Sequence, residues 1–257
     1  VMFREGYLAI YSGRYERLNI VYTKGSVAEL VDLYGGSYGS VYLAEAGSAT
    51  AEQTLGKGCR YDGVDYSAVQ GKKSLSKVSV IPCNHSELND FVCVGCGMEI
   101  FLSVEANGET TLFGTFEDAI RYAEEHDGCT VKLLQDITLD EATAGSLMDS
   151  DSLVFRKGEY TLDLNGKTLD INNNYFNVYF GCKLTIGDSV GGGKVTDPGW
   201  GRIATDEFSV LTVTGGEFNP NIQISKQSSL VLKGGSFESI RAKRSAGCTP
   251  FDFIADG

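Results

Sequence analysis

The sequence predicts an all-β fold, a right-handed parallel β-helix (solenoid) with one short capping α-helix. Three observations predict it. The first is composition: 32 glycines, only 4 prolines and 42% hydrophobic residues in a chain of 257. Many short strands joined by tight glycine turns fit that balance, and a disordered or collagen-like chain does not. The second is an internal repeat. The third is the spacing of its copies, which is close to one solenoid coil.

Residues 8–20 read LAIYSGRYERLNI and residues 31–43 read VDLYGGSYGSVYL. Downstream, residues 211–224 read LTVTGGEFNPNIQI and residues 230–242 read LVLKGGSFESIRA. All four share one grammar: an alternating apolar strand, a small-Gly pair, one residue, an aromatic, and a second apolar strand. Gly13 and Gly36 are 23 residues apart, and Gly216 and Gly235 are 19 apart. Similar tails follow, AGSATAEQTLGKG at 46–58 and SAGCTPFDFIADG at 245–257. The first portion therefore reads as the end of one unit whose next copy fills the rest of the chain.

Strand geometry turns this grammar into a core. Alternation points Leu8 and Ile10 one way and Ala9 and Tyr11 the other, and the same holds for Leu211 with Val213 and Leu230 with Leu232. A single rung cannot bury its apolar face, whereas stacked rungs form a continuous interior. The glycines supply sharp turns with positive φ. Tyr15, Tyr38, Phe218 and Phe237 occupy matching positions and are expected to stack inside the coil, where packing accounts for them more simply than ligand binding.

The middle continues the pattern less strictly. YTLDLNGKTLDI at 160–171 centres on Asn165-Gly166, a signal for an antiparallel hairpin or a coil corner, and the solenoid context favours the corner. One segment reads as helix. Thr115 is its cap, Asp118 stands at the third helical position, and Phe116, Ala119, Ile120 and Ala123 form an apolar stripe that Gly128 ends. A helix over 115–127, ahead of a strand at 130–139, is expected to cap the first coil and cover its edge.

The net charge of −12 disfavours a nucleic-acid partner, and no apolar run reaches eighteen residues, so no membrane insertion is expected in this segment. The N-terminus lacks a signal-peptide pattern, and both ends read as cut from a longer protein whose open first coil would self-associate or meet upstream residues. Of seven cysteines, three cluster with a histidine. Cys129 and Cys182 lie in apolar strand contexts and read as buried small hydrophobes, while Cys59 and Cys248 complete the set.

TFEDAIRYAEEHDGCTVKLLQDITL, then YTLDLNGKTLDI, then LTI with a glycine cluster, resemble the pectate-lyase-like right-handed parallel β-helix repeats of surface proteins in anaerobic, Firmicutes-type gut bacteria. The resemblance covers nearly the whole chain. It implies an extracellular position on the cell surface or cell wall of a bacterium, tandem repeats, and a role in adhesion or host contact. It also implies a short C-x-H and C-x-x-C segment between repeats. The chain carries Cys83-Asn84-His85 and Cys93-Val94-Gly95-Cys96-Gly97. Three thiolates and one imidazole make a complete tetrahedral zinc set, structural rather than catalytic, with Gly95 and Gly97 easing the second knuckle. Such a zinc would fix the angle between successive β-helices. A Cys93–Cys96 disulfide, or free thiols in a linker, are the competing readings.

Solenoids of this kind also host polysaccharide lyases and glycoside hydrolases. Asp149, Asp151, Asp163 and Asp170 qualify by residue type, but Asp163 and Asp170 fit a solvated outer face. No catalytic residue is assigned. The organisation expected is the last coils of one unit at 1–82, a zinc-knuckle linker at 83–97 and a second, helix-capped unit at 98–257. The function expected is a non-catalytic surface module that contacts host proteins, immunoglobulin among them, or glycans. Contact would run through outward aromatics, chiefly Tyr11, Tyr34 and Trp200, with Tyr175 and Tyr179 as further candidates, although stabilisation of the stacked strands accounts for the neighbouring tyrosines equally well. A structural stalk packed against neighbouring repeats is the alternative, and a polysaccharide-active enzyme the second alternative.

Overall fold

A computed structural model of the chain describes residues 2–3, 7–21, 31–44, 50–145, 148–149, 152–225, 227–242 and 252–255. Asp151, Cys248 and most of the 245–257 tail lie outside the described residues. The chain divides into two compact units, Val1–Glu99 and Ile100–Gly257. The fold is the predicted one, an all-β right-handed parallel solenoid with a short helical region outside the coils.

In the second unit each coil runs through three sheets. The first sheet stacks Thr130–Leu133, Glu159–Asp163, Lys183–Gly187, Val210–Val213, Ser229–Leu232 and Asp252–Ala255, all parallel. The second stacks Ile137–Thr138, Thr168–Asp170, Lys194–Thr196, Glu217–Phe218 and Ser236–Phe237. The third stacks Ser152–Phe155, Tyr175–Val178, Arg202–Thr205, Asn221–Ile224 and Ile240–Ala242. Glu159 pairs with Lys183, Lys183 with Val210, Val210 with Ser229 and Ser229 with Asp252, so successive coils take 24, 27, 19 and 23 residues. Loop length varies while strand register does not.

That fixed register makes the core a set of columns. Val131, Leu162, Ile186, Val213 and Leu232 stack in the first sheet, and Leu153, Phe176, Ile203 and Ile222 in the third. Each such side chain contributes about 1.5–3 kcal/mol by leaving water. Phe218 and Phe237 stack with centroids 5.3 Å apart, and Tyr15 and Tyr38 at 5.4 Å, as their matching positions predict. The Tyr15 and Tyr38 hydroxyls each donate to the carbonyl three residues earlier, on Ser12 and Gly35, which lets a phenol sit where the other copies carry phenylalanine. The repeat glycines Gly13, Gly36, Gly216 and Gly235 all have positive φ, between 92° and 125°. A side chain at any of them would be strained; at Gly36 and Gly235 it would also press on the preceding coil, at Gly13 O and Gly216 O, and at Gly13 on Tyr15 of its own coil.

Asn165-Gly166 is a coil corner, because Glu159–Asp163 and Thr168–Asp170 lie in different sheets. A true hairpin lies earlier and was not anticipated. Leu102–Ala106 and Glu109–Phe113 pair antiparallel about Asn107-Gly108, and Leu102–Ala106 also pairs antiparallel with Thr130–Leu133. This hairpin, rather than the helix, covers the starting edge of the first sheet. The helix spans Phe116–Ala123, with Thr115 Oγ1 accepting from the Asp118 amide at 3.2 Å. It buries Phe116, Ala119, Ile120 and Ala123, and Phe116 meets Phe155 edge-on, so it closes the interior. Past its end, Glu124 accepts from the Arg156 amide and Asp127 from the Glu159 amide, covering one corner.

The first unit follows the same rules. Leu8–Ile10 pairs in parallel with Val31–Leu33, which Leu55 extends by a single parallel bridge. Met2–Phe3, Leu18–Val21 and Gly36–Ala44 form the facing parallel ladder. The ladder then stops: Ser74–Pro82 pairs antiparallel with both Gly36–Ala44 and Cys59–Tyr61. Among the described residues no helix is long and apolar enough to cross a membrane.

Candidate metal centre

The segment that carries Cys83, His85, Cys93 and Cys96 belongs to the first unit and is bonded to it. The Cys83 amide donates to Gly58 O and the Tyr66 amide to Val94 O. A two-residue hairpin joins the two half-sites. Leu88–Asn89 pairs antiparallel with Val92–Cys93, and Asp90 and Phe91 between them both have positive φ, the geometry of a tight primed turn. It folds Cys93 back over Cys83.

Each half-site is shaped by its backbone. His85 has a φ of 52°, in the left-handed region that few residues with a side chain occupy. After Cys96 the chain reverses at Gly97, with φ +72° and its amide on Cys93 O at 2.8 Å. A Cβ at Gly97 would lie 2.6 Å from the Tyr66 ring. At Gly95 the reason for glycine is contact instead: a Cβ there would sit 2.9 Å from Arg60 Cδ and 3.4 Å from Cys83 Sγ. Arg60 thus brings a guanidinium beside the knuckle.

The four donor atoms converge, all within 4.8 Å of one another. Cys83 Sγ lies 3.5 Å from Cys93 Sγ, and Cys96 Sγ lies 3.4 Å from His85 Nδ1. A tetrahedral ion with bonds near 2.3 Å to sulfur and 2.0–2.1 Å to nitrogen would need edges of about 3.8 and 3.6 Å. The cluster can therefore coordinate a metal ion with small side-chain adjustments. Burial lowers the His85 pKa and so favours the neutral imidazole a metal requires. Burial pushes all three thiols up; at Cys93 the amides of Cys96 and Gly95 and the Cys83 thiol outweigh it and hold that thiol below its usual value. The six described cysteines, Cys59, Cys83, Cys93, Cys96, Cys129 and Cys182, are free thiols, and Cys129 and Cys182 are buried.

The outward aromatics are placed on coil exteriors. Tyr11 is 71% exposed and stacks on Tyr34 of the next coil, centroids 4.9 Å apart and planes 7° from parallel. Tyr7 donates to Asp32 at 2.7 Å beside them. Trp200 is 62% exposed and meets Tyr175 edge-on.

Two of the aspartates weighed as catalytic acids, Asp163 and Asp170, have structural work. Asp163 does not lie on a solvated face: it is buried, accepts from the Asn165 and Ser189 amides and the Ser189 hydroxyl, and sits 3.9 Å from Lys132. Its strand ends at a corner, and the next coil folds over it. Asp170 accepts from the Asn172 amide. Two further corner aspartates, Asp188 and Asp197, escaped the sequence reading although each stands beside a glycine-rich turn, the one signal that marks them. Compared with known protein families, curated proteins and solved structures, the chain matches none.

Proposed function

We propose that the chain is a non-catalytic binding module, a stiff solenoid whose first unit is stapled by a structural zinc ion and whose outer faces engage a glycan or a host protein. The observation that carries this reading is the Tyr11–Tyr34 pair. The two rings stack on consecutive coils, and the outer one, Tyr11, is 71% exposed, so a flat aromatic surface lies open on a rigid support. Aromatic surface of that kind anchors sugars and protein partners at low entropic cost. Zinc is the ion the donors favour, because three thiolates and an imidazole suit a borderline-soft tetrahedral cation and leave no position open for substrate. The corner aspartates support the non-catalytic assignment, since their oxygens already accept backbone amides. Placement at a bacterial surface rests on the family resemblance.

The test is a screen of glycans and host proteins, immunoglobulin included, against the parent and a Tyr11→Ala/Tyr34→Ala/Trp200→Ala variant. Binding by the parent that the variant loses supports the module. Binding that survives all three substitutions removes the aromatic faces from the account. An empty screen favours the stalk, for which the continuous parallel ladder of the second unit is the supporting observation.

A further inference from the structure

The third sheet of the second unit presents a row of outward side chains on three consecutive coils. Tyr175 pairs in register with Arg202, and Arg202 with Asn221. Their neighbours Phe176, Ile203 and Ile222 are fully buried, so the row lies on the exterior. The Arg202 guanidinium sits 4.0 Å over the Tyr175 ring. Two atoms of the row are removed from solvent without a hydrogen-bond partner, Arg202 Nε and Asn221 Oδ1. Among the described residues no carboxylate pairs with Arg202. Native structures rarely leave such groups unfilled, and a small side-chain rotation that brings this donor and this acceptor, on adjacent rungs, to the surface would let a ligand that carries both complements fill them.

Trp200, the only tryptophan in the chain, stands beside this row. Its loop is braced. Asp197 accepts from the amides of Asn173, Gly199 and Gly201, and Asn219 holds the Asp197 backbone from the next coil. A Cβ at Gly199 would strike Asn173, and one at Gly201 would strike Asp197. The loop thus holds a mostly exposed indole in one place, an arrangement that costs apolar exposure without contributing to the core.

Resting on the binding-module reading, we propose that Trp200, Tyr175, Arg202 and Asn221 form a site for a saccharide bearing a single carboxylate. The planar guanidinium matches a carboxylate with paired N–H donors. The indole face takes the C–H face of a pyranose ring. The Asn221 carbonyl accepts a sugar hydroxyl and its amide donates to another. One cation serves one carboxylate; the surrounding net charge of −12 selects against densely charged polyanions.

Because Trp200 is the sole tryptophan, fluorescence excited selectively at the red edge, beyond tyrosine absorption, reports on this site. The experiment titrates the full chain with sialyllactose, which carries one carboxylate, and with lactose, its neutral core. The expected result is a saturable change with sialyllactose and a response weaker by about tenfold or more with lactose. Arg202→Gln should reduce the sialyllactose affinity by about tenfold or more, and Arg202→Lys, which keeps charge but loses the fork, should fall between. Asn221→Ala should weaken both sugars, and circular dichroism should show all variants folded. Equal responses to the two sugars, no response to either, or an Arg202→Lys variant that binds like the parent would overturn the site. So would an equal response to acetate or to a carboxylate-ended peptide. If this site fails while the Tyr11–Tyr34 face still binds a partner, the module reading stands and only the saccharide site falls.

Discussion

The sulfurs of Cys83 and Cys93 lie 3.5 Å apart, too far for a disulfide of about 2.05 Å and slightly inside the edge of a zinc–thiolate tetrahedron. The pair is poised for a shared ion rather than for a bond with each other. Elemental mass spectrometry on protein purified without chelator should find one zinc per chain. Cys93→Ser and His85→Ala should each lose it. A ligand at a thousandfold excess over its dissociation constant adds about 4 kcal/mol, so chelation should lower the melting transition of the first unit. A metal-free parent would leave the knuckle without its staple and sink the assignment.

Aromatic residues range from fully buried to mostly exposed, which sets a contrast in stability. Phe176 is fully buried and packs on Phe155 with centroids 4.3 Å apart, whereas Phe180 is 58% exposed. Phe176→Ala should cost about 3–5 kcal/mol in denaturant unfolding. Phe180→Ala should stay within about 0.5 kcal/mol.

The repeat glycines should resist substitution in proportion to what lies beneath them. Gly36 has φ +107°, and a Cβ there would sit 3.1 Å from Gly13 O, while Gly63, at φ +67°, has nothing within 4 Å. Gly36→Ala should cost about 1–3 kcal/mol, from strain and contact together. Gly63→Ala carries only the left-handed penalty and should cost about 1 kcal/mol. Equal losses at the two positions would mean that coil contact adds nothing.

Acid should loosen the corner at Asp188. Burial raises its pKa, but amides of Gly193 and Gly166, with Gly191 and Val190, outweigh that and hold the carboxyl below its ordinary value. A carboxyl with a depressed folded pKa contributes stability above its unfolded pKa of about 3.9 and loses it as pH falls through the lower folded value. Unfolding free energy should therefore drop below about pH 4. Asp188→Asn should cost about 1.5–3 kcal/mol at neutral pH and flatten that acid limb. An unchanged limb would assign the acid sensitivity elsewhere.

What the sequence made legible was whatever repeats or stands close together. The small-Gly-x-aromatic grammar predicted the coils because stacking demands the same residue at the same height, and the structure keeps Tyr15 over Tyr38 and Phe218 over Phe237. The metal cluster was legible because its ligands fall within fourteen residues, Cys83 to Cys96, and need only a hairpin to meet. Pairing direction was not. Asn107-Gly108 and Asn165-Gly166 share the same signal and nearly the same φ angles, 54° and 82° against 51° and 74°. One closes a hairpin and the other turns a corner, a choice made by which strand is available to pair and not by the turn. Asp163 was misplaced for a related reason: alternation tells which way a side chain points, but not whether the next coil will fold across it.

The antiparallel closures have a consequence for how such a chain can change. Among the described residues, antiparallel Ser74–Pro82 ends the parallel ladder of the first unit, and antiparallel Leu102–Ala106 begins that of the second. A coil gained or lost by unequal recombination within one ladder shifts the phase of that ladder only. The antiparallel strand that bounds each ladder absorbs the error, as a punctuation mark keeps a frameshift from reaching the next sentence. Coil number in each unit is thereby free to drift independently, and length becomes a trait that can vary without rewriting the neighbour.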